Sequence, residues 1–187
     1  MMFIKQLTTT LFCLVLACFV LAGCDNDNEN DHNYTNYFKI GFQESKINEG
    51  NIFYYGNRYN ATSTVARLIF TTGNMRYHRE ENKYSGIGNF IIVTLISKPE
   101  GLTAGTYYCV TNLEQGTSSV VPWTFIDGFY AIDAIDGKYD EVSYVQSGHL
   151  TITKNNNEYE VSFVMNQDYG TPLRGYYKGE LNFYDFS

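Results

Sequence analysis

The chain has 187 residues, with 20 acidic residues against 13 basic ones and a formal charge of −7 at pH 7. That balance argues against nucleic acid and anionic lipid surfaces as partners, since clustered Lys and Arg hold both. Aromatic residues make up 17% of the chain, chiefly Tyr and Phe, and Pro is scarce. No long stretch keeps a 3.6-residue apolar period, so Tyr, Phe, Val, Ile and Thr interrupted by Gly and Asn read as strands and turns.

The N-terminus reads as a leader. Residues 1–10 carry one charge, Lys5, and residues 11–21 (LFCLVLACFVL) are apolar. That run is shorter than the roughly 20 residues a membrane-spanning helix needs. Small residues follow it, as at a secretory cleavage site. Leu21-Ala22-Gly23-Cys24 resembles the lipobox of bacterial lipoproteins. The resemblance implies cleavage before Cys24, which then carries lipid on its thiol and its new amine. Two or three acyl chains anchor a protein stably where one binds only marginally. The expected organisation is a signal peptide over 1–23, an acidic flexible linker over 24–35 and a single all-β domain over 36–187. Cys13 and Cys18 leave with the leader, so Cys109 remains alone and no intramolecular disulfide forms. The fold must then rest on its core. Cys109 itself, in the strand-like run Thr106 to Val110, reads as a small buried apolar residue.

Residues 24–33 (CDNDNENDHN) contain Asp25, Asp27, Glu29 and Asp31 and nothing strongly apolar, which suits a disordered spacer. An acidic run directly after the lipidated cysteine resembles the surface-export signal of Bacteroidetes lipoproteins. It implies an outer-membrane protein facing outward from the cell. A solvated linker with no sorting role is the alternative reading.

The domain begins with Phe38, Ile40 and Phe42 alternating with polar residues, a half-buried strand. Asn48 to Asn51 reads as a turn, Ile52 to Tyr55 as a second strand and Val65 to Thr71 as a third. Gly73 to Gly88 reads as a long polar loop. Phe90 to Ile96 is apolar on both faces and should be a central strand covered on both sides. A turn over Lys98 to Gly105 launches Thr106 to Val110, and Gly116 to Ser119 loops back. Val120 to Ile126 and Phe129 to Ile135 read as strands divided by Asp127-Gly128, with Asp136-Gly137 as a further turn.

The C-terminal part has the most regular pattern. Leu150 and Ile152 alternate with His149, Thr151 and Thr153, and Asn155 to Asn157 is a hairpin turn. Tyr159, Val161, Phe163 and Met165 then alternate with more polar residues. After a turn over Asp168 to Pro172, the residues Leu173, Gly175, Tyr177, Gly179, Leu181 and Phe183 form the inner face of one long last strand. Three strands of consistent period make an antiparallel meander with a fixed register. Gly148-His-Leu-Thr-Ile-Thr, Glu158-Tyr-Glu-Val-Ser-Phe and Leu173-Arg-Gly-Tyr-Tyr-Lys-Gly-Glu-Leu resemble the last three strands of small Bacteroidetes surface lipoproteins of unknown function. Leu102-Thr-Ala-Gly-Thr-Tyr107 resembles their turn before a strand. These motifs are turn glycines and core aromatics, so they transfer no catalytic residue. The fold expected is an antiparallel β-sandwich of about eight strands, with a lipocalin-like β-barrel as the alternative.

Chemistry is sparse. His32, His78 and His149 have no ligand spacing to one another or to a cysteine, so no metal is expected. Asp133, Asp136 and Asp140 offer oxygens near one loop, but turn-forming Asp explains them equally. A glycosidase needs two carboxylates across a cleft. Asp127, Asp133, Asp136 and Glu141 fall in expected turns, which leaves hydrolysis as a minor alternative to a non-enzymatic role. No cofactor fingerprint occurs. More Tyr is present than such a domain can bury, and exposed Tyr and Trp stack on sugar rings or anchor protein partners. Trp123, Tyr176 and Tyr184 are the candidates, with burial in the core the competing reading for Trp123. The expectation is a lipid-anchored binding module for a glycan or a protein. A structural, adhesion or fimbrial subunit and a barrel carrying a small apolar ligand are the alternatives.

Overall fold

The computed structural model describes residues 34–58, 62–111, 121–167 and 170–187. The chain divides into two units, Met1–His32 and Asn33–Ser187. The leader, Cys24, most of the acidic linker, His32, Tyr59, the loop at 116–119 and Asp168 lie outside the described residues.

Twelve strands are described: β1 (Tyr37–Ile40), β2 (Gln43–Gly56), β3 (Thr64–Thr72), β4 (Arg76–His78), β5 (Lys83–Ser85), β6 (Ile87–Ser97), β7 (Gly105–Cys109), β8 (Thr124–Ile135), β9 (Ser143–Asn155), β10 (Glu158–Gln167), β11 (Pro172–Gly179) and β12 (Asn182–Asp185). The protein is all-β. Of the two architectures the sequence allows, the chain takes the barrel and not the sandwich. The sheet runs β1-β11-β10-β9-β7-β8-β6-β3-β2 and is closed by pairing of β1 with β2. Eight of these nine strands follow one another around the barrel in chain order. The exception, β7, is wedged between β8 and β9, parallel to the first and antiparallel to the second. Alternation of one apolar and one polar face suits a sandwich as well as a barrel. Closure needs β1 to pair on both sides, with its neighbour β2 through a tight turn and with β11 from the far end of the chain, and this leaves β1 and β11 no free edge.

The lumen is packed with side chains, as small barrels are. Phe38, Leu68, Phe70, Leu95, Tyr107, Phe125, Leu150, Phe163 and Tyr177 all belong to one buried cluster. Each such aromatic or aliphatic side chain contributes about 1.5–3 kcal/mol by leaving water. Tyr107 brings a hydroxyl inside, and its polarity is satisfied. That hydroxyl donates to the Thr103 carbonyl at 2.7 Å and bonds Ser97 Oγ at 2.8 Å.

Several local expectations change. Phe42 stands in the tight β1–β2 turn and is fully exposed, so the first strand ends at Ile40. Asn48 to Asn51 is not a turn. It lies within the continuous β2, where a register shift between Ile47 and Glu49 absorbs the irregular composition. The polar segment from Gly73 to Gly88 is not all loop, since β4 and β5 pair as a hairpin across a short 3₁₀ turn. Asp127-Gly128 does not divide two strands. Both residues oppose the single Val93, which makes a bulge inside β8, and Ile132 and Asp133 form a second bulge against Asn89. Asp127 (φ 51°) and Asp133 (φ 52°) adopt the left-handed conformation that short polar side chains tolerate, so a bulge and a turn share one sequence signature.

Phe90 to Ile96 is covered on both faces as expected. Ile91, Val93 and Leu95 face the lumen, while Phe90 and Ile92 join Phe53, Ile69 and Met75 in a second core on the outer wall. The β4–β5 hairpin roofs that second core with Tyr77 and Tyr84. Asp136-Gly137 and Asn156-Asn157 are tight turns, as expected.

The expected single last strand is interrupted at Glu180-Leu181. The alternation of Leu173, Gly175, Tyr177 and Leu181 into the core holds across the interruption. β11 borders β1 antiparallel, whereas β12 pairs directly and in parallel with β2, register Tyr184 to Phe53. One direction of travel therefore serves both halves, because β1 lies between β11 and β2 and ends before β12 begins. Phe183, expected inside, is exposed, and Tyr184 turns onto the outer wall instead.

Candidate ligand-binding cleft

The three expected stacking residues do not converge. Trp123 packs into the luminal cluster, 5.4 Å from the Tyr107 ring, with Lys98 Nζ 5.3 Å from its own ring. Gly105 lies against the indole so closely that no Cβ fits there. Tyr176 is half-buried on the outer face of β11, and its hydroxyl donates to Glu160 Oε1 at 2.8 Å. Tyr184 alone stands in an aromatic assembly, on the second core.

That assembly borders a cleft of about 260 Å³ lined by Phe53, Tyr55, Arg67, Ile69, Tyr77, Asn82, Tyr84 and Phe186. The strands explain its construction. On β2, Phe53 and Tyr55 share the outer face while Ile52 points to the lumen. Registers place Phe53, Arg67 and Thr94 side by side across β2, β3 and β6. The hairpin supplies Tyr77, Asn82 and Tyr84, and the C-terminal tail supplies Phe186, whose backbone N–H donates to the Tyr54 carbonyl at 2.8 Å.

The rings hold one another in the edge-to-face and offset arrangements that aromatic quadrupoles favour. Phe53 meets Tyr77 edge-on at 4.8 Å and stacks on Tyr184 at 5.1 Å, and Tyr77 meets Tyr184 at 4.7 Å. Phe186 lies 6.0 Å from both Phe53 and Tyr55.

Polar groups fix the walls. The Tyr77 hydroxyl donates to Asn82 Oδ1 at 2.6 Å, which holds the turn against the rings. Asn82 adopts the left-handed conformation there (φ 48°). Glu49 forms an ion pair with Arg76 at 3.5 Å and accepts from Asn51 Nδ2 at 2.8 Å, and Asn51 also donates to the Tyr84 hydroxyl at 3.3 Å. Burial, reinforced by the Glu49 charge, pushes the Tyr84 phenol far above the ordinary tyrosine range. Burial raises Tyr77 and Tyr184 as well, and the nearby Arg79 charge partly opposes this in both. All three phenols are therefore neutral hydrogen-bonding groups at physiological pH.

Cations surround the cleft. The Arg58 guanidinium lies 4.9 Å and that of Arg67 5.9 Å from the Tyr55 ring centroid. Arg67 Nε makes a long bond to Thr94 Oγ1 at 3.5 Å. Among the described residues, none of Arg58, Arg67 and Arg79 has a carboxylate within ion-pair distance.

The other sequence candidates lie apart from this place. Asp127 and Asp133 are exposed bulge residues, and Asp136 occupies a turn where its carboxylate accepts from the Gly86 N–H at 2.9 Å. Asp140 and Glu141 are exposed beyond that turn. Among the described residues, no three His, Cys, Asp or Glu side chains converge as metal ligands. His78 pairs with Ser85 Oγ at 2.6 Å, and His149 is exposed. Cys109 is half-buried, and burial pushes its thiol up to about 11, away from the thiolate that nucleophilic chemistry needs.

Sequence reasoning missed the cleft because its lining comes from five separated segments. The available signals were the outward Phe53 and Tyr55 of a doubly covered strand and two tyrosines in an otherwise polar stretch. Comparison of the chain with protein-family models, with curated proteins and with solved structures finds no match.

Proposed function

We propose that this protein is a lipid-anchored lipoprotein of the outer membrane, facing outward, that binds a glycan through the aromatic cleft on its barrel wall. It performs no chemistry on the ligand. The observation that carries the binding reading is the cleft itself, with several aromatic rings, the Asn82 amide and the Arg67 guanidinium around one small concavity. Apolar walls with a few placed polar groups are the common make-up of small-ligand sites. The volume lies somewhat below the roughly 300–1,000 Å³ typical for drug-sized ligands, which suits a single ring of a longer saccharide. The packed lumen favours a site on the outside of the barrel over the carrier alternative.

The anchoring part of the reading rests on Leu21-Ala-Gly-Cys24 and the acidic residues after it. Labelling cells with a palmitate analogue tests it. Wild-type protein takes up label and Cys24→Ala does not, whereas equal labelling of both refutes the anchor. Protease shaving of intact cells reads orientation, and complete protection contradicts the outward-facing assignment.

Affinity electrophoresis in gels containing soluble polysaccharides tests the binding part. At least one polysaccharide retards the wild type, and Tyr55→Ala combined with Phe186→Ala abolishes the retardation. Both rings are at least partly exposed at the cleft, so their loss leaves the luminal core untouched. Retardation of the double variant equal to wild type places binding elsewhere on the surface.

A further inference from the structure

We infer that the sugar unit taken by the cleft is anionic, with a carboxylate or sulfate group paired to Arg67. The inference rests on the glycan reading above and adds the charge of the ligand to it.

The outer face of β3 runs Val65, Arg67, Ile69. Val65 and Ile69 are buried apolar residues in the cores on either side of Arg67. Its cross-strand neighbours are Phe53 on β2 and Thr94 on β6. A strand position flanked by buried apolar residues is ordinarily apolar itself; Arg67 lays its stem there and keeps its terminal nitrogens open at the cleft. Arg67 is half-buried, yet its described polar partner is the Thr94 hydroxyl, reached only by Nε at 3.5 Å. The terminal nitrogens of the fork have no partner among the described residues and belong to a side chain that lines the cleft. Such a fork matches the two oxygens of a carboxylate or a sulfate.

The surroundings have the same polarity. Arg58 shares the Tyr55 ring with Arg67, and Arg79 acts on the phenols of Tyr77 and Tyr184. Of the acids on the same segments, Glu49 is occupied by Arg76 and Asn51, Glu81 pairs with Lys83, Asp185 accepts from the Ser187 N–H, and Glu80 stands beside Arg79 in the turn. Among the described residues, Arg67 in the cleft lining and Arg58 and Arg79 beside it have no carboxylate partner, in a chain whose net charge is −7. In such a chain a local excess of cations gives one place a sign opposite to the rest, which draws an anion there and repels it elsewhere.

The test is a glycan array holding matched forms of the same backbones, namely neutral, uronic-acid and sulfated. It is probed with wild type, Arg67→Met, which keeps an unbranched apolar stem, and Arg174→Met, a control on an exposed residue of β11. The expected result is wild-type signal on acidic members above their neutral partners, weakened about ten-fold or more in Arg67→Met. Arg174→Met should behave as wild type. Whether the signal falls on uronic acids or on sulfated sugars identifies the anion. Signal on neutral members equal to or above the acidic ones overturns the anionic inference and leaves glycan binding standing. Equal loss in both arginine variants also overturns it, since general charge attraction then explains the preference. No signal on any member overturns both readings. Circular dichroism of Arg67→Met guards against an unfolded variant, and Arg58→Met, on an exposed residue at the same ring, supplies the comparison if that fold fails.

Discussion

Gly175 shows how tightly single positions are set. It pairs with Phe163 on β10 and with Phe38 on β1, and the Phe163 ring lies over its Cα in the space a side chain would take. An aromatic ring laid across a strand glycine recovers the packing the glycine gives up. Gly175→Ala is expected to destabilise the protein by about 1–3 kcal/mol through overpacking, measured by urea unfolding. A change within experimental error would show that the ring has room to move. Tyr84 gives a second residue-scale expectation. Its phenol pKa is raised by burial above the ordinary value of 10.0, so the folded state keeps a proton that the unfolded state releases. That contribution is fully present below pH 10 and is lost as the pH rises above it, at up to about 1.4 kcal/mol per pH unit. Tyr84→Phe should flatten the alkaline slope of stability, and an unchanged slope would place the titrating group elsewhere. At this scale the sequence was only partly legible. The alternation of Val161, Phe163 and Met165 marks three luminal residues correctly, but nothing in the one-dimensional pattern distinguishes Arg67 from any exposed arginine. Its significance comes from Val65, Ile69 and Phe53 around it, which are neighbours only after pairing.

Among the elements, the β4–β5 hairpin matters most for the cleft. A loop of polar residues would leave Phe53, Ile69, Phe90 and Ile92 of the outer wall in water. The hairpin, with Met75 just before it, buries them beneath Tyr77 and Tyr84. Replacing residues 76–85 with a short turn should therefore expose several side chains, each worth about 1.5–3 kcal/mol, and abolish ligand binding while the lumen stays packed. Increased binding of a hydrophobic dye, together with a lowered thermal midpoint, checks this. A variant as stable as wild type would mean the roof contributes nothing to the wall. The hairpin escaped the sequence reading because strands of three residues are too short to show a period. The bulge at Asp127-Gly128 reads in the sequence as a division between strands because it carries turn chemistry, while the bulge at Ile132-Asp133 falls inside a stretch that reads as one strand. The tight turns at Asp136-Gly137 and Asn156-Asn157 were legible, since there the local chemistry and the pairing agree.

At the scale of the molecule, the all-β class followed from composition and period, while closure did not. Closure depends on β1, a strand of four residues, bridging β2 and β11, and on β12 continuing the direction of β11 onto β2. The β1–β11 and β12–β2 contacts join the two ends of the domain and have no local signature. The same closure shapes the proposed function. It fills the lumen with side chains, which is why the proposed site lies on the outer wall, where the hairpin and the C-terminal tail meet. The central claim is that this wall, and no other face, is the binding surface. An amide chemical-shift titration of isotope-labelled barrel with a glycan that binds measures it most directly. The account predicts perturbations concentrated at Phe53, Tyr55, Arg67, Tyr77, Asn82, Tyr84 and Phe186. Perturbations centred on Tyr176 and the outer face of β10 and β11, or around Trp123, would contradict it.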